Sequence, residues 1–160
     1  LHKKGFQFEY RIAGNGDPAY LERIIAKEDV ADQVKILGPV PHDKIFEFYS
    51  ELDIYIQPSK QEGLPRAMIE AMSTACPCLG ARTAGIPELI DSAYIFKPGN
   101  YVDLAQIISR IDKEALRAMA EDNFRKAKDY RLEVIDDRSH NFYKSFREQF
   151  HFLNFQSAYP

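Results

Sequence analysis

Residues 53–72 read Asp-Ile-Tyr-Ile-Gln-Pro-Ser-Lys-Gln-Glu-Gly-Leu-Pro-Arg-Ala-Met-Ile-Glu-Ala-Met. The apolar run at 54–57 stops at a proline, which indicates a short buried strand. Pro65 then begins a helical pattern, because a proline in the first turn of a helix loses no hydrogen bond. The stretch therefore predicts a strand, a loop and a helix, with Glu62 in the loop and Glu70 on the helix.

Strands and helices alternate in the same way along the whole chain. The predicted strands are Phe6–Ala13, Val34–Leu37, Ile54–Gln57, Cys78–Ala81 and Tyr94–Phe96. The predicted helices are 17–28 (with Asp17 as N-cap and Pro18 at the first position), one from Pro41, then 65–75, Pro87–Asp91, Val102–Ile111, Lys113–Tyr130 and Glu133–Phe152. This alternation predicts an α/β fold with a Rossmann-like, doubly wound parallel sheet. In such sheets ligands bind beyond the carboxyl ends of the strands.

The start of the helix in the opening stretch predicts an anion site. The backbone N–H groups of Gly63 and Leu64 lie where a helix amino terminus binds phosphate. A guanidinium at Arg66 can contact the same phosphate. A carboxylate accepts hydrogen bonds from sugar hydroxyls, so Glu62 and Glu70 beside a phosphate site indicate a nucleotide sugar as the ligand.

Each of these residues also has a plainer interpretation. At ~100° per residue, Glu70 falls roughly 130° from the centre of the apolar stripe of its helix, as a solvated residue would. Glu62 can be a carboxylate that interacts with a helix dipole. Gly14 and Gly16 can form a simple turn. The residues alone leave these alternatives open.

The longer pattern resembles the retaining glycosyltransferases of the GT-B fold, the enzymes often called group 1 or family 4. Their motif is roughly P-S-x-x-E-G-x-x-x-x-x-x-E-A-M, and residues 58–72 match it. Residues 84–88 are similar to the family's G-G-x-P-E loop, 12–16 to its I-x-G-x-G strand end, and 34–38 to its V-x-F-L-G element. The resemblance extends over about residues 6–111, with four motifs in the right order and spacing.

The resemblance implies a role for each residue at this edge of the sheet. Glu62 is then the catalytic carboxylate beside the transferred sugar, and Glu70 binds the ribose hydroxyls of a UDP- or GDP-sugar. Val40 lies in the loop that meets the nucleobase. The donor-binding residues are in full Gly14, Gly16, Val40, Gly63, Leu64, Arg66 and Glu70. Transfer to an acceptor hydroxyl is expected to need neither a metal nor another cofactor.

The resemblance also predicts a domain organisation. Residues 1–160 are then the C-terminal, donor-binding half of a GT-B enzyme, without the first strand and helix of that half. The N-terminal domain, which is expected to bind a carbohydrate or lipid-linked acceptor, is absent from this chain. The strand predicted at Phe6–Ala13 should therefore lie beside a gap in the sheet, and we expect a segment from outside the chain to fill it.

Composition excludes several classes of protein. The 160 residues correspond to one domain, and a net charge of −3 argues against a nucleic-acid surface. No apolar run is long enough to predict a transmembrane helix. Cys76 and Cys78 are too close in sequence to predict a disulfide, and the scattered histidines predict no metal site. A reducing, cytoplasmic location is expected, with the full enzyme peripheral to the inner face of the membrane.

Two other functions remain open at this point. One is a non-catalytic, truncated Rossmann-like binding module. It is favoured because the resemblance places the Arg and Lys that grip the diphosphate in the absent first strand and helix. The other is half of a sugar-nucleotide epimerase with the same two-domain architecture. The spacing of Glu62 and Glu70 after Pro58-Ser59 favours the transferase.

Overall fold

The computed structural model describes residues 1–150, in which strands and helices alternate up to the last three helices. The strands are β1 (Tyr10–Ala13), β2 (Val34–Gly38), β3 (Tyr55–Gln57), β4 (Cys78–Ala81) and β5 (Ile95–Phe96). The α-helices are α1 (Ala19–Glu28), α2 (Ile45–Ser50), α3 (Arg66–Ser73), α4 (Ile86–Leu89), α5 (Tyr101–Arg110), α6 (Lys113–Ala127) and α7 (Leu132–Phe150). Short 3₁₀ turns occupy His2–Lys4, His42–Lys44, Ser92–Tyr94 and Lys128–Tyr130.

The strands pair in parallel, and they form two sheets. β1 pairs with β2, with Ile12 opposite Ile36. The second sheet has the order β3–β4–β5, with Ile56 opposite Leu79. Within residues 1–150, neither β1 nor β3 pairs with a strand on its other edge. The parallel, Rossmann-like α/β arrangement is therefore confirmed, and the gap expected beside β1 separates the two sheets.

The gap between β1 and β3 is open on both faces of the sheets. A cavity of about 730 Å³ lies between these strands on the side of α5. A second cavity of about 480 Å³ lies between them on the side of α2. Arg11 and Ile56 line both cavities. The gap is bridged at one end by an ion pair, in which Arg11 Nη1 lies 2.8 Å from Glu51 Oε2.

The hydrophobic core lies on both faces of the second sheet. Cys78 packs with Met68 and Met72 of α3, whereas the next residue, Leu79, packs with Ile107 of α5. This division follows from the strand itself, since successive side chains point to opposite faces. By contrast, the side chains of β1, α1 and β2 are all exposed or half-buried. The second sheet and its helices are thus the well-packed part of the fold.

The amino ends of β1 and α1 differ from the sequence-based prediction. β1 begins later than predicted, at Tyr10, whose N–H donates to the carbonyl of Gln33 at 2.7 Å just before β2 begins. α1 begins at Ala19, with Pro18 rather than Asp17 at the N-cap position. The Asp17 carboxylate still accepts a hydrogen bond from the Ala19 N–H at 3.0 Å, so its capping function is kept.

Two other helices are shorter than predicted, because one end of each is a 3₁₀ turn and not an α-helix. The helix predicted from Pro41 consists of the turn at His42–Lys44 followed by α2. The helix predicted to end at Tyr130 continues past Ala127 only as a 3₁₀ turn. The predicted final helix reaches Phe152, but residues 151 and 152 lie outside the described residues.

The turn from α3 into β4 contains a strained residue. Ala75 has φ = 59°, in the left-handed region that glycine adopts more easily than other residues. The next carbonyl, that of Cys76, accepts a hydrogen bond at 2.9 Å from the buried side chain of Asn123, which fixes the turn against α6.

We expect Ala75→Gly to raise the free energy of unfolding by about 0.5–1 kcal/mol, because the relief of left-handed strain, about 1–2 kcal/mol, exceeds the added backbone entropy that glycine loses on folding, about 0.5–1 kcal/mol. Urea denaturation monitored by circular dichroism measures the change. The matched control is Ala118→Gly on the exposed face of α6, which should lower stability by about 1 kcal/mol. If both variants lost stability equally, Ala75 would not be strained.

Candidate functional site

The carboxyl end of β3 carries a hydrogen-bonded network of polar side chains. Gln57, the last residue of β3, donates from Nε2 to the Glu62 Oε1 atom at 2.8 Å and to the Ser59 hydroxyl at 2.7 Å. The Tyr55 hydroxyl donates to Gln57 Oε1. Glu62 is half-buried in the loop before α3. It therefore has a defined orientation where the sequence predicts the catalytic carboxylate.

Glu70 is half-buried on α3 and is not a fully solvated residue. The Tyr49 hydroxyl of α2 donates to Glu70 Oε2 at 3.4 Å. Burial, together with the charge of Glu70, raises the pKa of Tyr49 to about 12, so this phenol stays protonated at neutral pH. The solvated interpretation of Glu70 fails because α2 packs beside α3 and covers part of that helix face.

The aromatic rings of Tyr49 and Tyr55 join the two networks. Their centroids lie 5.6 Å apart with an interplanar angle of 89°, the edge-to-face geometry that aromatic pairs favour. Burial raises the pKa of Tyr55 as well, so its hydroxyl remains a donor. One packed pair of tyrosines therefore contacts both glutamates. Tyr49 donates directly to Glu70, and Tyr55 donates to Gln57, which in turn donates to Glu62.

The amino end of α3 is open to a ligand. The helix begins at Arg66, so Pro65 occupies the N-cap position rather than the predicted first helical position. No side chain within residues 1–150 caps this end, and Gly63, Leu64 and Arg66 are all exposed. Uncapped N–H groups at a helix start attract anions. The geometry therefore agrees with the anion site that the sequence predicts.

A second loop holds the backbone at Gly63 in place. Gly85, which precedes α4, is buried against it: a Cβ atom added to Gly85 would lie 1.8 Å from the Gly63 carbonyl oxygen. Only a glycine can approach another backbone so closely. The loop after β4 thus supports the loop that carries Glu62.

The first sheet contributes to the cavity on the α2 side. Gly14, with φ = 146°, and Val40 both line this cavity, as do Tyr49 and Gln57. The structure therefore brings the loops after β1, β2 and β3 together around one cavity. Gly16 does not line this cavity, and neither do the predicted residues Glu62, Gly63, Leu64, Arg66 and Glu70. Their contacts with a donor stay predictions.

The description of the matching protein family is "Glycosyl transferases group 1", and its model covers residues 1–113, which is more than half of the chain. The chain belongs to the group 1 glycosyltransferases. The family match includes β1 to α5 and every residue of the candidate site.

Two curated proteins are similar to most of this chain. The amylovoran biosynthesis glycosyltransferase AmsK of Erwinia amylovora is 37% identical over 123 residues, which cover 71% of this chain and 30% of that protein. Protein CapJ of Staphylococcus aureus is 30% identical over 139 residues, which cover 84% of this chain and 35% of that protein. The chain therefore spans about a third of the length of these curated relatives.

Solved structures show the same fold. Anabaena HepE in complex with UDP superposes with a TM-score of 0.77 at 21% identity, covering 86% of this chain and 41% of that chain. Sucrose-phosphate synthase from Thermosynechococcus elongatus has a TM-score of 0.77 at 20% identity, covering 87% of this chain and 38% of that chain. This group 1 glycosyltransferase chain thus has the fold of one half of a GT-B enzyme.

Within residues 1–150, no group of His, Cys, Asp and Glu side chains could hold a metal ion. In the same range, no helix is both long and apolar enough to cross a membrane. Cys76 and Cys78 are free and buried.

Sequence reasoning missed three residues of this site. Tyr49, Tyr55 and Gln57 orient the two glutamates, yet their positions in the sequence indicate only an apolar helix and an apolar strand. Gln57 carries a weak signal, because a polar amide at the end of an otherwise apolar strand indicates a polar contact beyond the sheet. Tyr49 carries none, since its contact with Glu70 joins residues 21 positions apart.

Proposed function

We propose that this chain is the donor-binding half of a retaining glycosyltransferase. It transfers a sugar from a UDP- or GDP-sugar to a hydroxyl group of a carbohydrate or lipid-linked acceptor. An N-terminal domain outside residues 1–160 holds that acceptor, and the whole enzyme acts in the cytoplasm, at the inner face of the membrane. Membership of the group 1 family and relatives named as glycosyltransferases support this proposal over an epimerase or a non-catalytic module.

The observation that carries the proposal is the pairing of two oriented carboxylates with an uncapped helix start. Along the chain, Glu62 directly precedes and Glu70 follows the exposed backbone at Gly63 and Leu64. A nucleoside diphosphate sugar presents hydroxyls at both ends and two phosphates between them. Carboxylate acceptors and backbone donors of this kind support this class of ligand.

In the proposed reaction, this chain binds the donor and stabilises the departing diphosphate. The backbone N–H groups before α3 and the guanidinium of Arg66 face the phosphates, and their positive charge favours the leaving group as the glycosidic bond breaks. Glu62 accepts a hydrogen bond from the transferred sugar and stabilises charge near its anomeric carbon. Glu70 accepts from the ribose, and Gly14 and Val40 border the nucleobase end of the cavity.

Nucleotide binding by this chain is the direct test. In a titration of the ¹⁵N-labelled chain with UDP and GDP, we expect a dissociation constant of about 1 mM, or about −4 kcal/mol. Resonances of residues 57–70 should shift. Glu70→Ala should weaken binding about tenfold, because a charged acceptor for the ribose hydroxyls is lost. Glu114→Ala, which removes an exposed carboxylate on α6, is the control.

Two results would contradict the proposal. One is the absence of any shift in residues 57–70 at 10-fold the expected dissociation constant, or about 10 mM nucleotide. The other is equal binding by the wild-type chain and by Glu70→Ala, which would place the nucleotide away from this helix.

A further inference from the structure

Gln57 connects the loop that carries Glu62 to the sheet that contains β3. It is the last residue of β3 and lies opposite Gly80 of β4, so its backbone belongs to the packed sheet. Glu62 lies in the loop between β3 and α3. The 2.8 Å hydrogen bond from Gln57 Nε2 to Glu62 Oε1 therefore fixes a loop carboxylate to the sheet.

The amide of Gln57 has one orientation that satisfies all its partners. A side-chain amide offers two N–H donors and one acceptor oxygen. Its Nε2 atom donates to Ser59 and Glu62, and its oxygen accepts from Tyr55. The opposite orientation would place the amide oxygen against the Glu62 carboxylate. Because the Glu62 carboxylate can only accept, it requires an N–H of the amide, and the amide oxygen is left to accept from the Tyr55 hydroxyl.

We infer that Gln57 is a positioning residue for Glu62, and that it acts on the sugar half of the donor rather than on the nucleotide half. This inference rests on the proposed function, in which Glu62 contacts the transferred sugar. Gln57 holds the carboxylate before the ligand arrives, so less conformational freedom is lost when the sugar binds. Tyr55 has a supporting role through the orientation of the amide.

The nucleotide half has its own direct hydrogen bond, and the ring contact between Tyr49 and Tyr55 links it to the network around Glu62. Tyr49 donates to Glu70 at 3.4 Å, and Glu70 is the proposed ribose ligand. The distance between Gln57 Nε2 and Glu62 is shorter, at 2.8 Å. Variants at Gln57 should therefore affect contacts with the sugar half of the donor, and variants at Tyr49 contacts with its nucleotide half. The two sets of variants can be compared with each other.

The test compares a nucleotide with its sugar derivative on the full 160-residue chain. UDP and UDP-glucose are titrated into ¹⁵N-labelled wild-type, Gln57→Leu, Gln57→Glu and Tyr49→Phe proteins, with GDP and GDP-mannose as the second pair of probes. Gln57→Leu keeps the bulk of the side chain, and Gln57→Glu keeps its acceptor for Tyr55 but cannot donate to Glu62. Both should weaken binding of the nucleotide sugar about fivefold to tenfold and change binding of the nucleotide by less than about twofold. Tyr49→Phe should weaken both ligands by the same factor.

Two outcomes overturn the inference while the proposed function stands. If the Gln57 variants lost affinity equally for the nucleotide and for the nucleotide sugar, Gln57 would have only a general structural role. Unchanged binding of both ligands would show no role. Absence of nucleotide binding by the wild-type chain contradicts the proposed function, and the inference falls with it.

A measurement on the ligand-free chain tests the hydrogen bond between Gln57 and Glu62 directly. The side-chain ¹⁵N–¹H₂ resonances of Gln57 should shift in Glu62→Ala, because one of its two N–H groups loses its acceptor. If this shift is absent, the contact itself does not exist in solution, and the inference is wrong whatever the ligand does.

Discussion

Glu62→Ala in the complete enzyme is expected to lower turnover by about 100-fold and to raise the KM for the donor by no more than about tenfold. In the proposed mechanism this carboxylate interacts most strongly when positive charge develops at the anomeric carbon. An interaction that strengthens only in the transition state affects kcat rather than ground-state binding. Initial-rate kinetics with varied donor concentration measure both quantities.

Glu70→Ala provides the comparison on the same helix–loop unit. Contacts to ribose are similar in the ground and transition states, so this variant should raise the KM for the donor and leave kcat close to that of the wild type. The assignment of roles would be wrong if Glu70→Ala reduced turnover alone, or if Glu62→Ala acted only through KM. Glu114→Ala on α6 should change neither parameter.

Gly85→Ala should lower the affinity for UDP by at least about tenfold, since the new methyl group displaces the backbone at Gly63. Gly85 has φ = −83°, which alanine adopts without strain. The effect therefore comes from the contact, in which the Cβ atom would lie 1.8 Å from the Gly63 oxygen. We also expect a loss of about 1–3 kcal/mol in the free energy of unfolding. Titration calorimetry or NMR, together with urea denaturation, measures the two effects.

Gly99→Ala is the matched control for this variant. Gly99 has φ = 74°, so alanine is strained there, but no atom lies within 4 Å of the added Cβ. It should lower stability by about 1 kcal/mol without changing the affinity for UDP. If both variants lost affinity in proportion to stability, the contact between Gly85 and Gly63 would have no specific role in the site.

The parts of the fold that local pattern encodes were predictable from the sequence. The apolar run before Pro58 and the proline before α3 indicate a strand, a loop and a helix, and the structure contains all three in that order. The alternation of elements predicts parallel pairing, and the predicted gap beside β1 separates the two sheets. The spacing of Glu62 and Glu70 indicates the family, which the family comparison confirms.

The missed features depend on contacts between distant residues. The pattern around Glu70 predicts a solvated face, because helical periodicity does not record that Tyr49 of α2 packs beside it. The role of Gly85 is hidden in the same way, since a glycine in a loop gives no sign that another backbone approaches it. The predicted contact of Gly16 with the donor relies on resemblance alone and stays a prediction.

The loose packing of β1, α1 and β2 has a consequence for how the ligand is recognised. Gly14 and Val40 belong to this part, whereas Glu62 and Glu70 belong to the well-packed part around β3 and α3. Regions with few buried contacts open locally at a small free energy. The observed affinity of a site is its intrinsic affinity multiplied by the fraction of molecules in the competent form. If the proposed function holds, we expect recognition of the nucleobase to be coupled to local folding, and a segment that fills the gap between β1 and β3 to strengthen donor binding.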